Sequence, residues 1–144
     1  MSTAAINPIT GRKQGHPFYF PQGLPGLEDF HKFYVEPLPD NRLFCLLQSV
    51  EDDQVGLILV DPFPFFPDYH VELLESDKRE LDLASDKDLL LFTTVTFGEE
   101  QMYTNLAAPI IINLKAKRGK QIIIPQRTDQ MRTPLKKPEN SENE

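Results

Sequence analysis

The chain has 144 residues, 40 % hydrophobic and 26 % charged, with a formal net charge of −7. That length fits one domain, large enough to bury a core without disulfide or metal staples. An acidic chain is a poor direct binder of nucleic acid, which needs clustered cations to displace counterions from phosphates. The single cysteine, Cys45, excludes a disulfide within the chain and fits a reducing compartment.

Residues 1–14 are mixed and polar, and a loose start or a first edge strand is expected there. They show no basic region followed by an apolar one, so no secretory signal is read. No later run reaches the roughly 18 apolar residues of a membrane span. The expected location is the cytoplasm. Phe18-Tyr19-Phe20 has high strand preference. It ends at Pro21-Gln22-Gly23-Leu24-Pro25-Gly26, where two Gly and two Pro in six residues predict a turn with special backbone geometry. Residues 32–35 form a short strand closed by Pro37 and Pro39.

Residues 43–49 and 55–60 read as two buried strands of a hairpin joined through Asp52-Asp53-Gln54. Cys45, inside the first apolar run, reads as a small core residue. Gln48, a polar side chain near the end of that strand, needs a buried hydrogen-bond partner. Residues 62–69 hold three prolines and can be neither regular helix nor central strand. Residues 76–84 are the best helix candidate, with Ser76 as a possible cap. Residues 89–97 predict a central strand. Residues 110–114 and 121–124 predict two more, joined by a tight hairpin at Lys117-Arg118-Gly119-Lys120 in which Gly119 takes a positive φ. From Thr133 onward nothing promises a core. The expected organisation is one domain over residues 1–132 and a disordered polar tail over residues 133–144. The expected fold is mainly β: a small antiparallel β-barrel-like domain with one short helix.

Charge is unevenly spread. Between Glu28 and Glu100 there are 18 Asp/Glu and 5 Lys/Arg, whereas Lys115 to Arg127 holds 5 Lys/Arg and no acid. An acidic body attracts a basic protein partner, although acidity also simply keeps proteins soluble. The hairpin cations Lys117, Arg118 and Lys120 read chiefly as a solvated tip. His16, His31 and His70 have no metal-ligand spacing. Phosphate-binding glycine loops and a nucleophile elbow are missing from the sequence. No catalytic residue, metal or cofactor is expected, and the chain does not read as an enzyme.

Five segments taken together resemble the FliW family of flagellar assembly factors. They are Gly23-Leu24-Pro25-Gly26-Leu27-Glu28, Leu47-Gln48-Ser49, Asp61-Pro62-x-x-Phe65-x-x-Asp68-Tyr69, Asn105-Leu106-x-Ala108-Pro109-Ile110-x-Ile112-Asn113 and Gly119-Lys120-Gln121-Ile122-Ile123. Leu27 stands where the family commonly has Phe. The resemblance runs from about residue 18 to residue 125. It implies a compact barrel-like fold and no cofactor. It also implies two protein partners: CsrA, a small RNA-binding dimer that represses translation of flagellin mRNA, and flagellin itself. A family member takes CsrA off the message, and free flagellin takes it off CsrA, so that synthesis matches export. The alternative is an export chaperone that holds flagellin and leaves CsrA untouched.

The candidate partner-binding residues are Asp61, Phe65, Asp68, Tyr69, Glu72 and Asn105. Along residues 61–72 the functional reading is an interface loop with aromatic anchors and an acidic rim. Equally, the phenylalanines can plug the end of a barrel while Asp61 fixes a turn. Asn105 can present its amide to a partner or bond its own turn. The Gly23–Gly26 turn reads as backbone geometry rather than contact.

Overall fold

The computed structural model describes residues 16–136. The expectation for residues 1–14, and that for the tail beyond residue 136, lie outside the described residues. In chain order the elements are β1 (Phe18–Tyr19), β2 (Lys32–Leu38), β3 (Asn41–Ser49), β4 (Gly56–Val60), α1 (Glu75–Glu80), β5 (Leu89–Phe97), β6 (Met102–Thr104), β7 (Ile110–Asn113), β8 (Arg118–Gln121) and β9 (Thr133–Leu135). Short 3₁₀ turns occupy Asp86–Asp88 and Pro125–Gln130.

The strands join in the order β4-β3-β2-β1-β8-β7-β5-β6-β9, and β4 also pairs with β5. That extra pairing, Leu59 opposite Thr94 and Val60 opposite Thr93, closes a ring of seven strands. β6 and β9 lie outside the ring as an extension of the far half of β5. All ring pairings are antiparallel except β1 with β8, which meet in parallel at Tyr19 and Arg118 alone. Tyr19 N–H donates to the Lys117 carbonyl at 2.9 Å there. The mainly β, barrel-like expectation therefore stands, with a ring of hydrogen bonds that is loosest at this seam.

Alternation along three strands separates two cores. Cys45 and Leu47 of β3, Leu59 of β4 and Phe92 of β5 point into the ring with Phe20, Phe33, Ile110 and Ile112. Phe44, Val60 and Val95, on the same three strands, point outward and pack with Leu135. Strands buried on both faces read as continuous apolar runs, and this explains Leu43–Leu47 and Leu57–Val60.

Several expectations need correction. The strand expected to close at Pro37 runs on to Leu38, with a register shift between the two. The helix is six residues, Glu75–Glu80, shorter than expected at its far end. Asp82 takes φ 54, which stops the helix. The hairpin turn lies three residues earlier than predicted, over residues 114–117: Lys117 (φ 59) turns the chain, and β8 begins at Arg118. Gly119 is instead a packing glycine, buried in β8, where an added Cβ would collide with the Phe20 ring. The tail boundary also moves. Thr133–Leu135 forms β9 against β6, and Leu135 is 5 % exposed in the outer core. A single leucine in a polar stretch gave no periodic signal, and neither did the three-residue β6.

Candidate functional site

The loop after β4 begins with a fixed turn. Asp61 N–H donates to the Leu43 carbonyl at 2.8 Å, and its Oδ1 accepts from the Phe63 amide at 3.1 Å. Burial raises the Asp61 carboxyl above the usual carboxylate range, and the Phe63 amide partly opposes that. Pro62, Pro64 and Pro67 remove donors, so the remaining amides close successive turns. Phe65 and Phe66 N–H donate to the Pro62 carbonyl, and Tyr69 N–H donates to that of Phe66.

These turns aim the aromatic side chains. Phe65 meets Phe44 edge-on, centroids 6.4 Å apart, and Phe66 follows at 6.5 Å from Phe65. Both are half-buried on the outer core. They cover the outer face of β3, β4 and β5 and do not plug an end of the ring. Tyr69 is 5 % exposed, and its hydroxyl donates to the Leu106 carbonyl at 2.8 Å. The Arg127 guanidinium lies 4.8 Å from its ring centroid. Burial pushes the Tyr69 phenol up to about 12, with Arg127 pulling the other way. Asn105 Oδ1 accepts from the Ala107 amide at 2.9 Å, which is the turn reading of that residue.

Of the six candidates, then, Asp68 and Glu72 are exposed, Asp61, Phe65 and Asn105 are half-buried, and Tyr69 is buried. The anchor that reaches solvent is one the sequence reading passed over. Phe63 is 40 % exposed and leans on Tyr69 at 6.1 Å between centroids. The sequence signal was present, since Phe63 lies between two prolines that deny it a place in a strand. The resulting face is Phe63 and the rims of Phe65 and Phe66 with Asp68 and Glu72 exposed along the same loop. It offers apolar contact, with two exposed carboxylates in the same loop.

A second assembly lies at α1. Lys120 Nζ is 2.7 Å from Asp77 Oδ1 and 2.5 Å from Glu80 Oε1. Asp77, on the buried side of α1, also accepts from the Leu74 amide at 3.0 Å. Burial opposes the charge on Lys120, but the two carboxylates outweigh it and raise the ammonium pKa. Asn113 donates to the carbonyls of Leu81 and Asp82 and accepts from the amides of Lys115 and Ala116. It thereby ties the helix exit to the β7–β8 turn. Lys120 is thus an internal tie and not a solvated tip. Gln48 is a buried donor to the carbonyls of Ser49, Asp52 and Val55. Cys45 sits in the core with its thiol pushed up to about 12, burial first and Asp61 second. Among the described residues no group of His, Cys, Asp and Glu is placed to hold a metal, and no helix is long and apolar enough to cross a membrane.

Fold and loop define a class: a small, mainly β protein whose strand ring is overlaid on one outer face by a proline-broken aromatic loop. The family described as FliW protein matches residues 2–135, and the chain belongs to it. A flagellar assembly factor FliW of Clostridium botulinum (strain Okra / Type B1) is 40 % identical over 123 residues, 84 % of this chain and 86 % of the relative. One of Clostridium novyi (strain NT) is 38 % identical over 118 residues, 81 % and 82 % of the two chains. A crystal structure of the flagellar assembly factor FliW superimposes with a TM-score of 0.76 at 29 % identity, covering 84 % of this chain and 86 % of that one. The family is one of flagellar assembly factors, not of enzymes.

Proposed function

We propose that the chain is a cytoplasmic flagellar assembly factor that binds CsrA and flagellin. Binding to CsrA relieves repression of flagellin mRNA, and binding to flagellin releases CsrA, so synthesis follows export. The observation that carries this reading is family membership, at 40 % identity over most of both chains. The surface adds a physical reason. An acidic chain of net charge −7 attracts a basic RNA-binding protein, and the Phe63–Glu72 stretch offers an aromatic contact with exposed carboxylates in the same loop. Asp68, Glu72 and Phe63 are the contact residues in this reading. Phe65, Phe66 and Tyr69 hold the loop, and Asp61 and Asn105 fix the turns at its flanks. No cofactor and no direct contact with nucleic acid enter the mechanism.

The test is a pull-down with CsrA and flagellin, each alone and then in competition. Both should bind, flagellin should displace CsrA, and the CsrA complex should weaken as salt rises. Flagellin binding with no effect on CsrA would favour the export-chaperone alternative.

A further inference from the structure

β8 is paired on one side along its length and on the other at a single point. In an antiparallel ladder successive residues turn their main-chain groups to opposite sides. Ile122 N–H donates to Pro109 and Ile124 N–H to Ala107, so these even positions face β7. Gln121 and Ile123 therefore face away from it. Beyond the Tyr19–Arg118 bridge, among the described residues, their main-chain groups meet no strand, because the chain leaves β1 into the Pro21–Gly26 turn.

A groove of about 240 Å³ opens beside that edge, lined by Pro21, Gly23 and Pro25 of the turn and by Gln121 and Ile123. Its two ends of chemistry differ. Ile123 is 59 % exposed, an apolar side chain that the described residues leave largely open. Glu28, Glu80 and Lys120 also line the groove. Lys120 lies between Asp77 and Glu80, so those three groups keep one net negative charge, and Glu28 adds another. Glu28 is held in place, since its Oε2 accepts from the Gly26 amide at 3.1 Å. Arg118 reaches the Glu80 carbonyl but does not line the groove.

We propose that this groove takes an extended, basic peptide segment of a partner protein as an added strand on β8. Its main chain pairs with Gln121 and Ile123, an apolar side chain rests on Ile123, and a Lys or Arg faces Glu28 and Glu80. Main-chain bonds supply affinity in such strand addition, and the flanking side chains supply selectivity. The occupant is cationic because the lining charge is negative and its one ammonium is already held between carboxylates. The site does not use the 61–72 loop, so it goes beyond the function proposed above.

The probe is an eight-residue peptide alternating Lys and Val, blocked at both ends, with a Glu/Val peptide of the same length as control. Titrated into the ¹⁵N-labelled full chain, the basic peptide should shift the Gln121 and Ile123 amides and slow their hydrogen exchange. Ile123→Lys, at an exposed position, should weaken binding at least tenfold and leave CsrA binding unchanged. Glu28→Lys should weaken it too. Absence of binding, equal binding of the acidic control, or shifts confined to the 61–72 loop would each overturn the proposal.

Discussion

The 61–72 loop and the β7–β8 hairpin look like opposites in sequence and exchange roles in the structure. The loop, rich in aromatics and acids, invites reading as a contact surface, yet most of its aromatic area turns inward over Phe44 and Tyr69 is buried. The hairpin, rich in cations, invites reading as a solvated tip, yet Lys120 and Asn113 fasten α1 and its exit to the ring. Residue type states what a side chain can do; register and burial decide whether it does so toward solvent or toward the chain.

Breaking the hairpin tie should have the largest effect. Lys120→Ala leaves Asp77 buried beside an unpaired site, and removing one partner of a buried pair costs about 3 kcal/mol. Urea unfolding should show that loss, and Lys120→Met with Asp77→Asn should recover much of it. Equal destabilisation by the single and double variants would mean that packing, not charge, joins α1 to β8.

Gly119→Ala comes next. The added methyl meets the fully buried Phe20 ring, and overpacking of this kind costs about 1–3 kcal/mol. A neutral result would place Phe20 elsewhere. On the loop side, Tyr69→Phe removes the bond to Leu106 and leaves that carbonyl unpaired, about 1 kcal/mol. Phe63→Ala and Asp68→Lys should scarcely move the midpoint, because both side chains reach solvent.

Alkaline pH sharpens the same contrast. Cys45 and Tyr69 are held at about 12 in the fold, above their ordinary values of 9.0 and 10.0. Lys120 is likewise raised from 10.5. All three bind protons more tightly folded than unfolded, so their contribution is complete at neutral pH and fades as pH rises. The thermal midpoint should begin to fall near pH 9 as unfolded cysteine ionises. Cys45→Ala should delay that fall, and Tyr69→Phe should flatten its later part.

Much of the fold was legible because strands buried on one or both faces leave apolar runs: β3, β4, β5 and β7 fall close to where periodicity put them. The Gly23 and Gly26 turn, with φ 65 and 83, follows from residue type alone. β6 and β9 were not legible, being three residues each and stabilised by pairing across distant sequence. Gly119 misled because a glycine in a hairpin suggests a turn, while its actual cause, a phenylalanine ring 99 positions earlier, is a tertiary contact. In the candidate site the family segments were visible and the division of labour was not. Asn105 fixes its own turn and Tyr69 faces inward, facts set by Ala107 and Leu106 rather than by either residue.

The most direct test measures CsrA binding to the purified chain by calorimetry, beside the Phe63→Ala/Asp68→Lys double variant and with flagellin as competitor. The account predicts a salt-sensitive complex, a loss of at least tenfold in the double variant at unchanged fold stability, and displacement by flagellin. Failure of the unaltered chain to bind CsrA would contradict the proposed function, and full binding by the double variant would contradict the assignment of the loop.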